Sequence, residues 1–152
     1  MNFIISMLMV LFMSNPFNAS DLTTETTTME TEVVIEGNDQ MRFDLSEIKV
    51  KAGETVTLTL KHTGKLPKAA MGHNWVLLAA GTDVKAFATE AMKARDNEYI
   101  PEGSEQIIAY TALIGGGEET TIEFTAPEAG EYDFICSFPG HYALMKGKFI
   151  VE

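Results

Sequence analysis

Cysteine occurs once in the 152 residues, tryptophan once and histidine three times. A single cysteine, Cys136, can close no internal disulfide, although an exported chain is free to use such bonds. Basic residues are half as numerous as acidic ones, 11 against 22, and the formal net charge is -11. A field of that sign repels phosphate backbones, which excludes nucleic acid as a partner and disfavours anionic membrane surfaces. Residues 1–20 hold no charged side chain, and residues 21–32 hold Asp21, Glu25, Glu30 and Glu32 with no base. Four negative charges therefore precede Val33, and -7 remains on the rest.

Long apolar runs are also missing. The most apolar stretch, Phe3 to Met13, is too short to span a bilayer comfortably and fits the core of an export signal. Only Met1 and Asn2 stand ahead of it, so the usual basic flank is absent, and the small-residue site at Asn18-Ala19-Ser20 is a mediocre cleavage point. Residues 1–20 are expected to be a signal peptide, with an uncleaved anchor as the alternative. The membrane enters only in that second case. Asp21 to Glu32 is rich in threonine and glutamate with no apolar period, and reads as a solvated linker.

From Val33 to Glu152 the pattern is that of one domain, large enough to bury its own core. Short β-prone runs alternate with turn residues, the signature of a sandwich or barrel. In Thr55-Val-Thr-Leu-Thr-Leu60, Val56, Leu58 and Leu60 share one face and the threonines the other. Thr121 to Thr125 and Glu131 to Cys136 alternate likewise. Tyr132, Phe134 and Cys136 have one parity, so the sulfur should leave the core face at a strand's end. Val84, Phe87, Ala88, Ala91 and Met92 have helical spacing after a Thr82 cap, which predicts one helix inserted in an all-β chain of seven or eight strands. Gly115-Gly116-Gly117 reads as a tight hairpin turn, and Trp75 as a core residue.

The stretch Cys136-Ser-Phe-Pro-Gly-His-Tyr-Ala-Leu-Met145 carries the chemistry. A thiolate, an imidazole and a thioether on one short loop suit a soft or borderline transition metal; hard cations would want oxygen. Two histidines and a cysteine with a weak axial methionine are the ligands of electron-transfer copper. The loop has one histidine, His141, and His73 in Met71-Gly-His-Asn-Trp75 is the candidate for the other. Pro139 fixes its own φ and Gly140 permits a turn, so the loop is stiffened.

These two segments, with Gly37-Asn-Asp-Gln-Met41 and Leu113-Ile-Gly-Gly-Gly-Glu118, resemble the azurins, blue copper proteins of the cupredoxin family, over roughly residues 33–152. The resemblance implies an eight-stranded Greek-key β-sandwich and one copper ion cycling between Cu(II) and Cu(I). It implies His73, Cys136 and His141 as equatorial ligands, Met145 as the weak axial ligand and the Gly72 carbonyl opposite it. Asn74 would tether the two ligand segments, and backbone N–H groups near the thiolate, around Phe138, would tune it. An apolar docking patch would comprise Met41, Leu66, Ala70, Met71, Met92, Phe138, Gly140 and Ala143. His62 would lie near the metal without binding it, in a structural or surface role or as a redox-linked group. The family's inter-strand disulfide has no counterpart, since the region around Thr31 and Glu54 lacks cysteine.

The function so implied is single-electron shuttling between periplasmic redox partners, of the cytochrome or copper nitrite reductase type. No small-molecule substrate is expected. A copper enzyme would need a second centre, and after two histidines are spent only His62 remains. Copper storage, or a zinc site, is the alternative.

Overall fold

A computed structural model describes residues 29–152. The expected signal segment and most of the acidic linker lie outside the described residues. Nine strands form two sheets: Glu30–Asn38 (β1), Arg42–Phe43 (β2), Glu47–Val50 (β3), Thr55–His62 (β4), Val76–Leu78 (β5), Ile107–Tyr110 (β6), Glu119–Thr125 (β7), Gly130–Ile135 (β8) and Lys146–Val151 (β9). One sheet has the order β2-β1-β4-β7 and the other β3-β9-β8-β5-β6. β1 pairs with β4, and β3 with β9, in parallel; the other pairings are antiparallel. This is the expected Greek-key type of sandwich, one strand richer than the sequence suggested because β2 is only two residues long. β1 begins at Glu30, inside the stretch read as linker.

Alternation sets the core. Val56, Leu58 and Leu60 of β4 are wholly buried, with half-exposed threonines between them. They meet Ile35 of the same sheet and Trp75, Leu77, Phe134 and Phe149 of the other. Each such side chain contributes roughly 1.5–3 kcal/mol of burial, so this layer fixes how the sheets face each other. β8 departs from simple alternation, since Ile135 is as buried as Phe134. Its outward face is covered by the helix Val84–Ala91 (α2), whose Phe87 and Ala91 pack with Val76, Leu78, Ile100 and Ile135.

The helix is where the spacing put it, but its cap is not Thr82. Asp83 accepts a hydrogen bond from the Ala86 N–H at 2.9 Å, while the Thr82 hydroxyl turns back to the Ala79 carbonyl. Met92 follows the helix and is exposed. A second, four-residue helix, Lys68–Met71 (α1), precedes Gly72 and buries none of its residues. The triple glycine is not a hairpin, because β6 and β7 belong to different sheets. It is a turn between them, closed by the Glu118 N–H on the Gly115 carbonyl at 3.0 Å. A Cβ on Gly115 would strike the backbone of Lys68 and one on Gly116 that of Lys65.

Candidate metal centre

His73 stands just ahead of β5, held by two backbone hydrogen bonds with Ile114, 2.9 and 2.8 Å long. Its Nε2 donates to the Asn38 carbonyl at 2.9 Å, so Nδ1 keeps its lone pair and faces inward, 3.0 Å from the Gly72 carbonyl oxygen. A wall of close contacts fixes the ring. A Cβ on Gly37 would lie 2.8 Å from His73 Cδ2 and 3.2 Å from the Met145 methyl, so β1 can approach only as glycine. On one face lies His62, its ring stacked at 4.1 Å and 13°.

His62 is buried and has no place at the surface. Its Nδ1 accepts from the Gly64 N–H at 3.1 Å, which leaves Nε2 to donate to the Met71 carbonyl at 2.8 Å.

Cys136 follows the last residue of β8 and is fully buried, as the parity of Tyr132 and Phe134 requires. Its N–H donates to the Met145 carbonyl at 3.0 Å, closing the loop on itself. Gly140, at φ 82°, turns the chain into a short 3-10 segment that starts at His141, and the Met145 N–H returns to the His141 carbonyl at 2.8 Å. His141 Nδ1 lies 3.6 Å from Cys136 Sγ, and the Gly72 carbonyl oxygen 3.9 Å from the same sulfur. One donor atom each from His73, Cys136 and His141 falls within 4.8 Å of the others. Met145 is wholly buried beside this group.

The two ligand-bearing segments are tied together by Asn74. Its Oδ1 accepts from the Ser137 N–H at 2.8 Å, and its Nδ2 donates to Ser137 Oγ at 2.8 Å. The Ser137 hydroxyl donates onward to the Tyr99 carbonyl at 2.8 Å. Neither Ser137 nor the Glu98-Tyr99 loop was picked out from the sequence.

Burial governs the electrostatics. It pushes the Cys136 thiol up to about 12, against the pull of the Asn74 and Phe138 backbone N–H groups. It pushes His141 down to about 4, helped by the neighbouring histidines, and lowers His73 as well. The imidazoles are thus neutral donors. A thiolate in this pocket requires a cation beside it, and a soft or borderline metal among two imidazoles and a sulfur meets that requirement. The residues fit copper.

Of the expected docking residues, Leu66, Ala70, Met92, Gly140 and Ala143 are exposed, whereas Met41, Met71 and Phe138 are half-buried. Phe138 packs on His141 with ring centroids 4.6 Å apart, and on Tyr99 at 5.2 Å. Ala70 and Met71 close α1 immediately before Gly72. Met41 occupies the turn between β1 and β2 with φ 55°.

Two imidazoles and a thiol converging in a dry pocket at one end of a β-sandwich define a small metalloprotein of the blue copper class. Comparison with known proteins agrees. The model of the copper binding proteins, plastocyanin/azurin family, matches residues 29–152, and the chain belongs to that family. Azurin of Alcaligenes faecalis is 50% identical over 121 residues, 76% of this chain and 94% of that protein. Azurin of Pseudomonas fluorescens biotype C is 46% identical over 123 residues, 78% and 95% of the two chains. Among solved structures, auracyanin A, a "blue" copper protein from Chloroflexus aurantiacus, has a TM-score of 0.73 at 35% identity, covering 81% of this chain and 99% of that one. Dithionite-reduced auracyanin from Roseiflexus castenholzii has a TM-score of 0.74 at 36% identity, covering 82% and 98%.

Proposed function

We propose that this protein is a type 1 copper electron carrier, with His73, Cys136 and His141 as equatorial ligands, Met145 as the weak axial ligand and the Gly72 carbonyl facing it. The observation that carries the reading is the buried cluster of two imidazoles and one thiol, with one donor atom of each within 4.8 Å of the others. Bound copper supplies a one-electron couple between Cu(II) and Cu(I).

The chain's part is to keep the donors still. His73 is held by the Asn38 carbonyl and by the stacked His62. Cys136 is held by the loop closure to Met145, and Asn74 locks one segment to the other. Ligands that do not move on electron transfer give fast exchange, and apolar walls keep water from adding a further ligand. Catalysis is not part of this reading: the chain has three histidines, two serve the metal, and His62 has both ring nitrogens committed.

In this reading residues 1–20 direct export, the acidic stretch from Asp21 links them to the domain, and the domain works in the periplasm. Its partners are redox proteins, of the cytochrome or copper nitrite reductase type, docking on the face bearing Leu66, Ala70, Met71, Met92, Phe138, Gly140 and Ala143 with Met41 beside it. Residues 21–152 loaded with Cu(II) should show an intense thiolate-to-copper absorption band and a narrow hyperfine splitting, both lost in Cys136→Ser. Weak, ordinary copper bands in the parent protein would overturn the carrier reading in favour of metal storage or a zinc site.

A further inference from the structure

Glu98 and Tyr99 are adjacent and both left-handed, with φ of 53° and 64°. Helical turns commonly end on one left-handed residue, ordinarily glycine or asparagine, because a Cβ crowds the chain in that conformation. Here the 3-10 turn Arg95–Asn97 ends on a glutamate, and a tyrosine continues in the same region. Strain over two consecutive residues that carry side chains points to a task that glycine could not perform.

The polar groups of Glu98 show what the task is. Its carbonyl accepts from Asn74 Nδ2 at 3.3 Å, and the next carbonyl, that of Tyr99, accepts from Ser137 Oγ at 2.8 Å. The carboxylate accepts from the Leu113 N–H at 2.9 Å through one oxygen and from Lys68 Nζ at 3.2 Å through the other. Leu113 in turn backs the site. A Cβ on Gly72 would lie 3.0 Å from Leu113 Cδ2, so this side chain packs directly behind the Gly72 peptide. The following residue, Ile114, exchanges both backbone hydrogen bonds with His73.

We propose that Glu98 is a positioning residue for the metal centre. The left-handed turn presents the Glu98 carbonyl and that of Tyr99 to the Asn74–Ser137 tie, and the Glu98 carboxylate holds the Leu113 backbone, in the connection after β6, beside Gly72 and His73. One residue outside both ligand segments thereby fixes the spacing between them. Only an acceptor side chain on a left-handed backbone does both, which is why glutamate stands where glycine would be easier.

The proposal rests on the copper reading for its consequence and not for its geometry, so the test has two readouts. The first is amide hydrogen exchange in the metal-free protein. Glu98→Gly suits the left-handed backbone, keeps the carbonyl and removes the side chain with its carboxylate. It should speed exchange at Leu113 by about tenfold, the loss of one charge-assisted hydrogen bond, with a smaller rise at Ile114 and Ser137. Glu98→Gln, whose amide oxygen still accepts from Leu113, should restore most of the protection, and Lys68→Ala should change nothing. The second readout is the copper hyperfine splitting and reduction potential of the loaded protein, which should shift in Glu98→Gly and return in Glu98→Gln. Unchanged exchange at Leu113 in Glu98→Gly, or raised exchange with an unmoved splitting and potential, overturns the proposal. A parent protein without the intense copper band would instead overturn the carrier reading and leave the exchange result standing.

Discussion

The Thr31 hydroxyl donates to the Glu54 carboxylate at 2.7 Å, joining the start of β1 to the residue before β4, the region for which the resemblance to azurins implied an inter-strand disulfide. The Lys51 N–H donates to the same carboxylate oxygen at 3.1 Å. A polar clasp thus closes this end of the sheet, and it responds to acid where a disulfide would respond to reductant.

The clasp makes stability depend on pH with a definite sign. The Thr31 hydroxyl, then the Lys51 N–H, hold the Glu54 carboxyl below the usual carboxylate range. A depressed acid stabilises the fold above its unfolded pKa, about 4.3 for glutamate, and that contribution is lost as pH falls through the folded value. Glu54→Gln should therefore lower the thermal midpoint by several degrees at pH 7. The gap between the two proteins should narrow as the pH is taken below 4. A gap that is constant across that range would show that the charge of Glu54 plays no part.

Trp75, the single tryptophan, is wholly buried among Phe124, Phe134 and Phe149, with ring centroids 5.7 to 6.1 Å away. Its Nε1 is without a hydrogen-bond partner among the described residues. An indole buried this completely among aromatic rings, with no protein acceptor beside it, should emit far to the blue of the unfolded chain. Fluorescence followed through a guanidinium titration checks this, with the shift to the red coinciding with loss of far-ultraviolet circular dichroism. Emission at the position of solvated indole in the native protein would place water in this core.

Met71 ends α1 and lies half-buried beside the site. Met71→Lys puts a charge on the proposed docking face, where it would have to be stripped of water as a partner seats. Electron exchange with a redox partner, followed by stopped flow, should slow by roughly tenfold or more. The copper absorption spectrum should stay as it was. Unaltered exchange kinetics would move the docking face elsewhere.

Much of this molecule is legible in its sequence, and what is not has identifiable causes. The β4 alternation and the parity that buries Cys136 follow from the two-residue period of a strand, which the residue types report directly. His73, Cys136 and His141 stand out because few other residues could serve a soft metal. The helix cap slipped by one residue because Thr82 and Asp83 are both good caps and the choice depends on which side chain reaches Ala86. The helix α1 has no side-chain cap and buries nothing, so no periodicity announces it. The left-handed Glu98-Tyr99 pair is silent for a different reason: neither residue prefers that conformation, and only the tertiary partners select it. The Thr31–Glu54 bond belongs to the same class, since a threonine and a glutamate 23 residues apart carry no mark of their pairing.

The parallel run of β1 beside β4 has a consequence for how the protein can be attached to anything. Glu30, at one end of β1, sits across from Thr55, while Asn38, at the other, gives its carbonyl to His73. Eight residues of extended chain separate those ends, about 26 Å at 3.3 Å per residue. Met29 therefore lies at the pole opposite the cluster of His73, Cys136 and His141. A leash fixed there would hold the molecule by its foot, with the proposed docking face turned outward.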